Sequence, residues 1–402
     1  MSDSFLPYGR QVIEDDDIEA VARVLRSDYL TTGPEIPAFE AEFSRWHGGA
    51  VHCIACNSAT AGLHLALDAL GVAPGDVCIV PSLTFLATAN AARYCGAEVV
   101  FADVDPQSGL MTPATLDAAI LRARTRFSGA RLAAVLPVHL AGLPCDLETL
   151  HARVQAEGAV LVADSCHALA SRWTDAGGQS RLVGDAGFCD AAVFSFHPVK
   201  TLACGEGGMV TTRHEEAAET MRRRRSHGIE RDPVRMGEPR AGEWPWYHEM
   251  GELGWNYRMP DINAALGRSQ LAKLSRFAAR RRELTSLYEE ALKPLAPLVL
   301  PPAGRAETDS CRHLMNVRID FEAAGVARET VMERLKDRGV GSQVHYIPVH
   351  TQPYYTARYG PERLPGADTY YARTLSLPLY PAMADDDPAR VAGALAEALE
   401  AG

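Results

Sequence analysis

Ser195-Phe196-His197-Pro198-Val199-Lys200-Thr201-Leu202-Ala203-Cys204-Gly205-Glu206-Gly207-Gly208-Met209-Val210 is the stretch on which the reading of this chain turns. It sets one lysine between an apolar strand-like run, Ala191 to Phe196, and a glycine-rich turn entering a second strand, Gly208 to Thr212. A lysine so placed sits on rigid backbone beside small-residue chain. An amine in a partly desolvated pocket loses part of its charge and can attack a carbonyl, so Lys200 suits Schiff-base chemistry. The glycines let backbone approach a flat ligand closely. The competing reading is an ordinary surface lysine before a tight turn, and a short motif alone does not separate the two.

Upstream of this stretch, helical and strand patterns alternate. Helical periodicity covers Asp15 to Leu25 and Pro37 to His47; Val51 to Ala55 reads as a strand and Thr60 to Leu70 as an apolar helix. Strands follow at Asp76 to Val80, Glu98 to Ala102, Leu132 to Val138 and Val160 to Ala163, separated by helices at Thr88 to Tyr94, Pro113 to Arg124 and Leu147 to Glu157. Strands too apolar to have a wet face, alternating with helices, predict a mixed, mostly parallel sheet covered on both sides, an α/β fold. After Asp261 the character changes. A helix is expected from Ile262 to Leu292, then strands at His313 to Ile319 and Ser342 to Ile347 and helices at Arg328 to Arg338 and Asp387 to Leu399. The expected division is a large domain over residues 1–261 and a smaller C-terminal α/β domain over 262–402, joined by the long helix.

The 402 residues, 47% hydrophobic and 23% charged, fit a globular protein with ample core. No apolar run approaches a membrane span, and Met1-Ser2-Asp3-Ser4 does not open a signal peptide, so a cytoplasmic protein without a membrane partner is expected. Nine cysteines, odd and scattered, read as reduced thiols; Cys53 and Cys56 form a lone CxxC and read as small strand residues, with no metal site. A net charge of −11 argues against nucleic acid as a partner. The basic runs Arg222 to Arg225 and Arg280 to Arg282 read as solvated helix faces, with a local anion-binding patch as the alternative.

Further residues can carry chemistry. Asn57-Ser58-Ala59-Thr60 offers hydroxyls and free N–H groups at a helix start, a phosphate site as well as a plain N-cap, and Ser195 can add a second hydroxyl. Asp164 ends a strand, where open α/β sheets place ligands; a carboxylate there can pair with a protonated ring nitrogen or simply cap a helix. His167 lies three residues on, within reach of the same ring, and Phe85 can stack on a flat ligand or belong to the core. Each signal is weak alone. Their order along one sheet gives them weight.

With Tyr8-Gly9-Arg10, Ser27 to Pro34, Asn57 to Thr60, Ser195 to Gly208, Gln343 to His350 and Ser376 to Pro381, the chain resembles the DegT/DnrJ/EryC1/StrS sugar aminotransferases over nearly its whole length. These are fold-type-I enzymes dependent on pyridoxal 5'-phosphate (PLP). The wording is closest to the branch that aminates UDP-4-keto-6-deoxy-N-acetylhexosamines in pseudaminic acid biosynthesis. The resemblance implies that Lys200 is the Schiff-base lysine covalently carrying PLP and that Asp164 pairs with the pyridinium. It implies that Phe85 stacks on the ring and that Ser58, Ala59, Thr60 and Ser195 hold the phosphate. Asn256 matches an asparagine that reaches the neighbouring subunit's phosphate, which implies a homodimer with shared active sites. His167 and Ala59-Thr60 depart from the wider family's glutamine and Gly-Thr, as the pseudaminic branch does. Thr31, Thr32, His345 and Tyr346 are candidate sugar contacts, and Arg231 and Arg258 candidates for the diphosphate.

The implied reaction moves the amino group of L-glutamate to C4 of the nucleotide sugar, with Lys200 as proton carrier. The alternatives are amination of another 4-keto or 3-keto nucleotide sugar, of the perosamine or dTDP-sugar kind, or a non-catalytic PLP-fold binding or regulatory protein. A dehydrase, which has histidine in place of the lysine, is disfavoured by Lys200.

Overall fold

The computed structural model describes residues 5–238 and 240–400. Seven strands form the central sheet, in the spatial order His52–Cys56, Gly208–Thr212, Ala191–Ser195, Val160–Asp164, Leu132–Val135, Val77–Pro81 and Glu98–Ala102. Gly208–Thr212 runs antiparallel to both neighbours, and every other pairing is parallel. The α/β reading therefore holds. Each of these strands is almost wholly buried, as a sheet covered on both faces demands. The helix Ala59–Ala69 is buried from Ala61 to Leu67, which accounts for its being apolar nearly all round.

Register fixes where the chemistry lies. Asp164 pairs with Val193, and Ser195 and Cys56 both stand opposite Gly208. Asp164 and Ser195 thus end their strands at the margin of the sheet where Gly208 begins its own. An aromatic cluster anchors the strand that leads to Lys200: Phe196 lies 5.4 Å from Phe39 and 5.8 Å from Phe43, and Phe194 lies 5.4 Å from Phe43. Rings in such contact add roughly 0.5–1.5 kcal/mol per pair beyond their burial.

Both outer strands are closed by side chains. On one side Ala55 N–H donates to Glu40 Oε1 (2.8 Å) and Ala55 C=O accepts from Arg225 Nη1 (2.6 Å), the two side chains themselves forming an ion pair. On the other, Val99 N–H donates to Tyr359 Oη (2.8 Å) and Phe101 C=O accepts from Arg122 Nη2 (2.5 Å). An edge strand's outward groups are thereby satisfied.

A second buried cluster gathers Leu284, Tyr288, Val317, Leu335, Leu377 and Leu395, together with Leu6 from the N-terminal segment. Its sheet has the antiparallel order Val299–Leu300, Met315–Ile319, Thr374–Leu377. The expected strand Ser342 to Ile347 is not one: Gln343 makes a single bridge to Ser376, and the side chains beyond it turn to other tasks. The expected long helix is two, Asp261–Ala272 and Leu274–Leu292, divided at Lys273 (φ −99°, ψ −3°), which closes the first and opens the second. Lys273 there holds Asp16 and Asp17 (2.6 and 2.7 Å), so tertiary ion pairing overrides helical continuity.

The arginine runs are not solvated faces. Arg223 and Arg224 share Glu252, Arg224 also takes Asp68, and Arg225 clamps the strand edge. In the second run Arg281 is buried at 1% exposure while Arg280 and Arg282 pair with Asp385 and Asp309. Acidic partners distant in sequence are invisible to a local reading. Cys53 and Cys56 are buried strand residues, and burial pushes the Cys56 thiol up to about 12. Among the described residues, no helix is long and apolar enough to cross a membrane.

Candidate active site

The stretch from Ser195 to Gly208 closes on itself. Phe196 N–H donates to Gly207 O and Phe196 C=O accepts from Cys204 N–H, both at 2.9 Å, so the segment between them projects as a loop from a pinned neck. Lys200 N–H closes a turn on His197 O (2.8 Å), and Asn263 Nδ2 donates to Cys204 O (2.7 Å) from below. Gly205 has φ +82°, a left-handed value that favours glycine. Gly208 is needed for another reason: a Cβ there would stand 2.7 Å from Ala59 N and 2.6 Å from the Ser58 carbonyl carbon. The missing side chain lets the strand start lie directly under the helix start.

Lys200 opens into a cavity of about 440 Å³ that also takes in Asp164, Ser195, Phe85 and the Ser58–Ala59–Thr60 turn. The structure thus brings together these expected residues with His167, His345 and Tyr346. It does not bring in Thr31, Thr32, Arg231 or Asn256, which are exposed and do not line this cavity. The Thr31–Thr32 loop is held instead by Asp261, whose carboxylate accepts from Gly33 and Glu35 N–H (2.8 and 3.0 Å). Asn256 has its backbone C=O on Asn57 Nδ2 (3.3 Å).

Ser58 caps the helix Ala59–Ala69, its hydroxyl accepting from Ala61 N–H (3.1 Å). That leaves the first-turn N–H groups of Ala59 and Thr60, which have no partner inside the helix, facing the cavity at the positive end of the helix. Asp164 accepts from Thr88 Oγ1 at Oδ2 (2.7 Å) and from Cys166 N–H at Oδ1 (3.1 Å). Each oxygen keeps a further lone pair. Phe85, at the N-cap of the helix Leu86–Tyr94, is 58% exposed, a large apolar face turned toward open space.

Burial lowers the Lys200 pKa from that of a free lysine, against the opposing pull of Cys166 and Asp164. Burial, and then Lys200, also holds the His167 pKa far below the ordinary imidazole value and His345 down to about 3. His167 is therefore neutral, and its tautomer follows from its partners. Nδ1 accepts from Ala141 N–H (3.2 Å), so the ring proton sits on Nε2 and is donated to Tyr346 Oη (3.0 Å). Tyr346 keeps its own proton to donate into the cavity; burial raises its pKa, so it stays protonated. Gly142 permits this packing, since a Cβ there would stand 2.4 Å from Cys311 O and 2.9 Å from His167 O.

The residues present suit PLP. Helix N–H donors offer a phosphate cradle that a Cβ at Gly208 would disturb, a strand-end carboxylate retains free lone pairs, and a lysine amine and an exposed ring line one cavity. Sequence reasoning missed Thr84, Thr88, Tyr8 and His313. Thr88 was legible only as a helix residue; His313, inside an expected strand, gave no signal of its own.

Fold and site together define a PLP-dependent aminotransferase. The model of the DegT/DnrJ/EryC1/StrS aminotransferase family matches residues 11–396, and the chain belongs to that family. It is accordingly a sugar aminotransferase. It superposes on Helicobacter pylori PseC, an aminotransferase involved in pseudoaminic acid biosynthesis, with a TM-score of 0.87 at 26% identity, over 98% of this chain and 99% of that one. The aminotransferase TlmJ of Streptoalloteichus hindustanus gives 0.84 at 31% identity, over 98% of each chain. A Streptococcus pneumoniae protein assigned as a sugar aminotransferase, in its PLP form, gives 0.84 at 26% identity, again over 98% of each chain.

Proposed function

We propose that this enzyme transfers the amino group of L-glutamate to C4 of a UDP-linked 4-keto-6-deoxy-N-acetylhexosamine, on the route to pseudaminic acid, with PLP attached to Lys200. The observation that carries the reading is the meeting of Lys200, Asp164 and the Ser58–Thr60 turn in one cavity at one margin of the sheet. The likeness to PseC supports the choice of route.

Bound there, PLP would supply an electron sink that makes the carbon bearing the amine acidic. In this reading Ala59 and Thr60 N–H and the Ser195 hydroxyl would hold the phosphate, and Phe85 would cover the ring and keep water from it. Asp164, steadied by Thr88 and Cys166 N–H, would keep the ring nitrogen protonated. Lys200, its pKa lowered by burial, takes the proton from the donor's α-carbon and delivers one at the sugar's C4. His167 holds the Tyr346 hydroxyl oxygen in place, which leaves the Tyr346 proton for substrate or cofactor oxygen.

Thr31, Thr32, Arg231 and Asn256, all exposed and away from the cavity, are assigned to a homodimer in which the partner subunit's Asn256 completes the phosphate site. Exposed Leu86 (39%) and Tyr94 (55%) support such an association. The reading places the enzyme in the cytoplasm, where its nine free thiols would persist.

A second reading is amination of a different keto nucleotide sugar: identity to PseC is 26%, below the 31% to the aminotransferase TlmJ, so the likeness to PseC does not by itself fix the sugar. The test for both is a panel of UDP- and dTDP-linked keto sugars offered to the glutamate-treated enzyme, with amine formation read by mass spectrometry. Conversion of the UDP-4-keto sugar is expected; conversion of a dTDP-3-keto sugar alone would overturn the first reading. Borohydride should fix the cofactor to Lys200, and Lys200→Ala should lose both that mass and all transfer.

A further inference from the structure

His313 lines the catalytic cavity with no task assigned to it. It is 5% exposed, its ring lies 4.7 Å from that of His167, and neither of its ring nitrogens makes a hydrogen bond among the described residues; Nδ1 is buried without a partner. The other buried imidazoles of the cavity differ. His167 is satisfied at both nitrogens, and His345 gives Nδ1 to Ser376 Oγ (2.8 Å).

The backbone of His313 is firmly held. Its N–H donates to Ala141 O (3.0 Å), and its C=O accepts from Arg281 Nη1 (3.3 Å), which also reaches Leu379 O (3.0 Å) and Arg312 O (3.4 Å). Arg281 is 1% exposed and Arg312, the preceding neighbour of His313, is 7% exposed. Among the described residues Arg281 has no carboxylate partner and meets only carbonyls, whereas Arg312 turns to Ala303 O and feels the charge of Glu289. Buried cations are ordinarily paired, because an uncompensated charge in a low-dielectric interior is costly. Arg281, unpaired behind one uncommitted imidazole, gives that wall of the cavity a positive potential.

We propose that the His313 wall is the subsite for a carboxylate of the amino donor, His313 supplying a ring N–H and Arg281 the positive potential behind it. The inference rests on the reading above that the donor is an acidic amino acid. A single imidazole in a buried wall matches one carboxylate; a diphosphate calls for several donors in an open cleft, and no arginine lines this cavity among the described residues. Burial, then Lys200, His167, Arg281 and His345, keeps His313 neutral, and a neutral ring still carries the one proton the contact needs. Asp164 and Glu206 are the acidic groups on the cavity lining.

The test uses the PLP-loaded enzyme and its His313→Phe and His313→Leu variants, each checked for an unchanged thermal unfolding transition. Glutarate, a dicarboxylate with no amine to react, is titrated by calorimetry, and KM is measured separately for L-glutamate and for the keto sugar. Loss of a hydrogen bond to a charged group should weaken glutarate binding and raise the KM for glutamate by about tenfold or more. The loss should fall on the donor far more heavily than on the sugar. A folded variant that binds glutarate as the parent does, or that loses both substrates equally, overturns the proposal. An enzyme that binds glutarate through His313 yet aminates no keto sugar would defeat the functional reading alone.

Discussion

The Thr88 hydroxyl donates to Asp164 Oδ2 at 2.7 Å, and Thr84 Oγ1 stands 2.7 Å behind it. With its proton committed to Asp164, Thr88 must accept from Thr84, so a relay of hydroxyls orients the carboxylate proposed to face the cofactor. Thr88→Val keeps the shape and removes the donor. Losing a hydrogen bond to a charged group costs about 1.5–3 kcal/mol. Cofactor affinity, measured by fluorescence titration of the apoenzyme, should fall by about tenfold or more. A folded Thr88→Val with parental affinity would show that the relay is dispensable.

Gly208 lies under the helix start that heads the phosphate cradle. In Gly208→Ala the new methyl group meets backbone atoms of Ser58 and Ala59, which cannot rotate away as a side chain end would. Overpacking of this kind costs roughly 1–3 kcal/mol. A lower unfolding midpoint in urea is expected, with a larger loss of cofactor affinity than Gly304→Ala, a loop position where nothing lies within 4 Å.

Buried histidines set the acid limit. Burial depresses His139 and His345 to about 3 in the folded protein, against 6.5 for a free imidazole. Between those values the unfolded chain binds more protons than the folded one, so stability is greatest above 6.5 and falls as the pH drops toward 3. Each such group removes up to about 1.4 kcal/mol per pH unit within that window. Urea unfolding at pH 7.5, 6.5 and 5.5 should show little change over the first step and a clear loss over the second. His139→Gln, which can still accept from Cys145 N–H, should reduce the slope.

Glu40 and Arg225 close the edge strand as a pair, and both side chains are largely buried. Removing one partner strands a buried charge, at about 3–5 kcal/mol. Arg225→Met alone should therefore destabilise the protein more than Arg225→Met combined with Glu40→Leu. Equal losses in a chemical-unfolding double-mutant cycle would refute the coupling.

What the sequence made legible follows from how local each signal was. Asp164 and Ser195 were readable because strand ends are marked by the change from apolar to polar residues, and Ser58 because a cap precedes its own helix. The break at Lys273 was not readable, since it depends on Asp16 and Asp17. His313 and Arg281 resembled a strand residue and a surface arginine, and only the folded chain sets one against the cavity and the other beneath it. Thr88 was read as a helix residue because its partner lies 76 positions away.

The clamps on Ala55 and on Val99 and Phe101 have a consequence for assembly. The sheet has a fixed width: at each of these positions an incoming strand would have to displace a side chain already bonded to the backbone. Two copies that associate must therefore meet through helices and loops rather than by extending one sheet into the next. Any composite cavity they build would be bounded by side chains, the part of the surface freest to vary from one sugar to another.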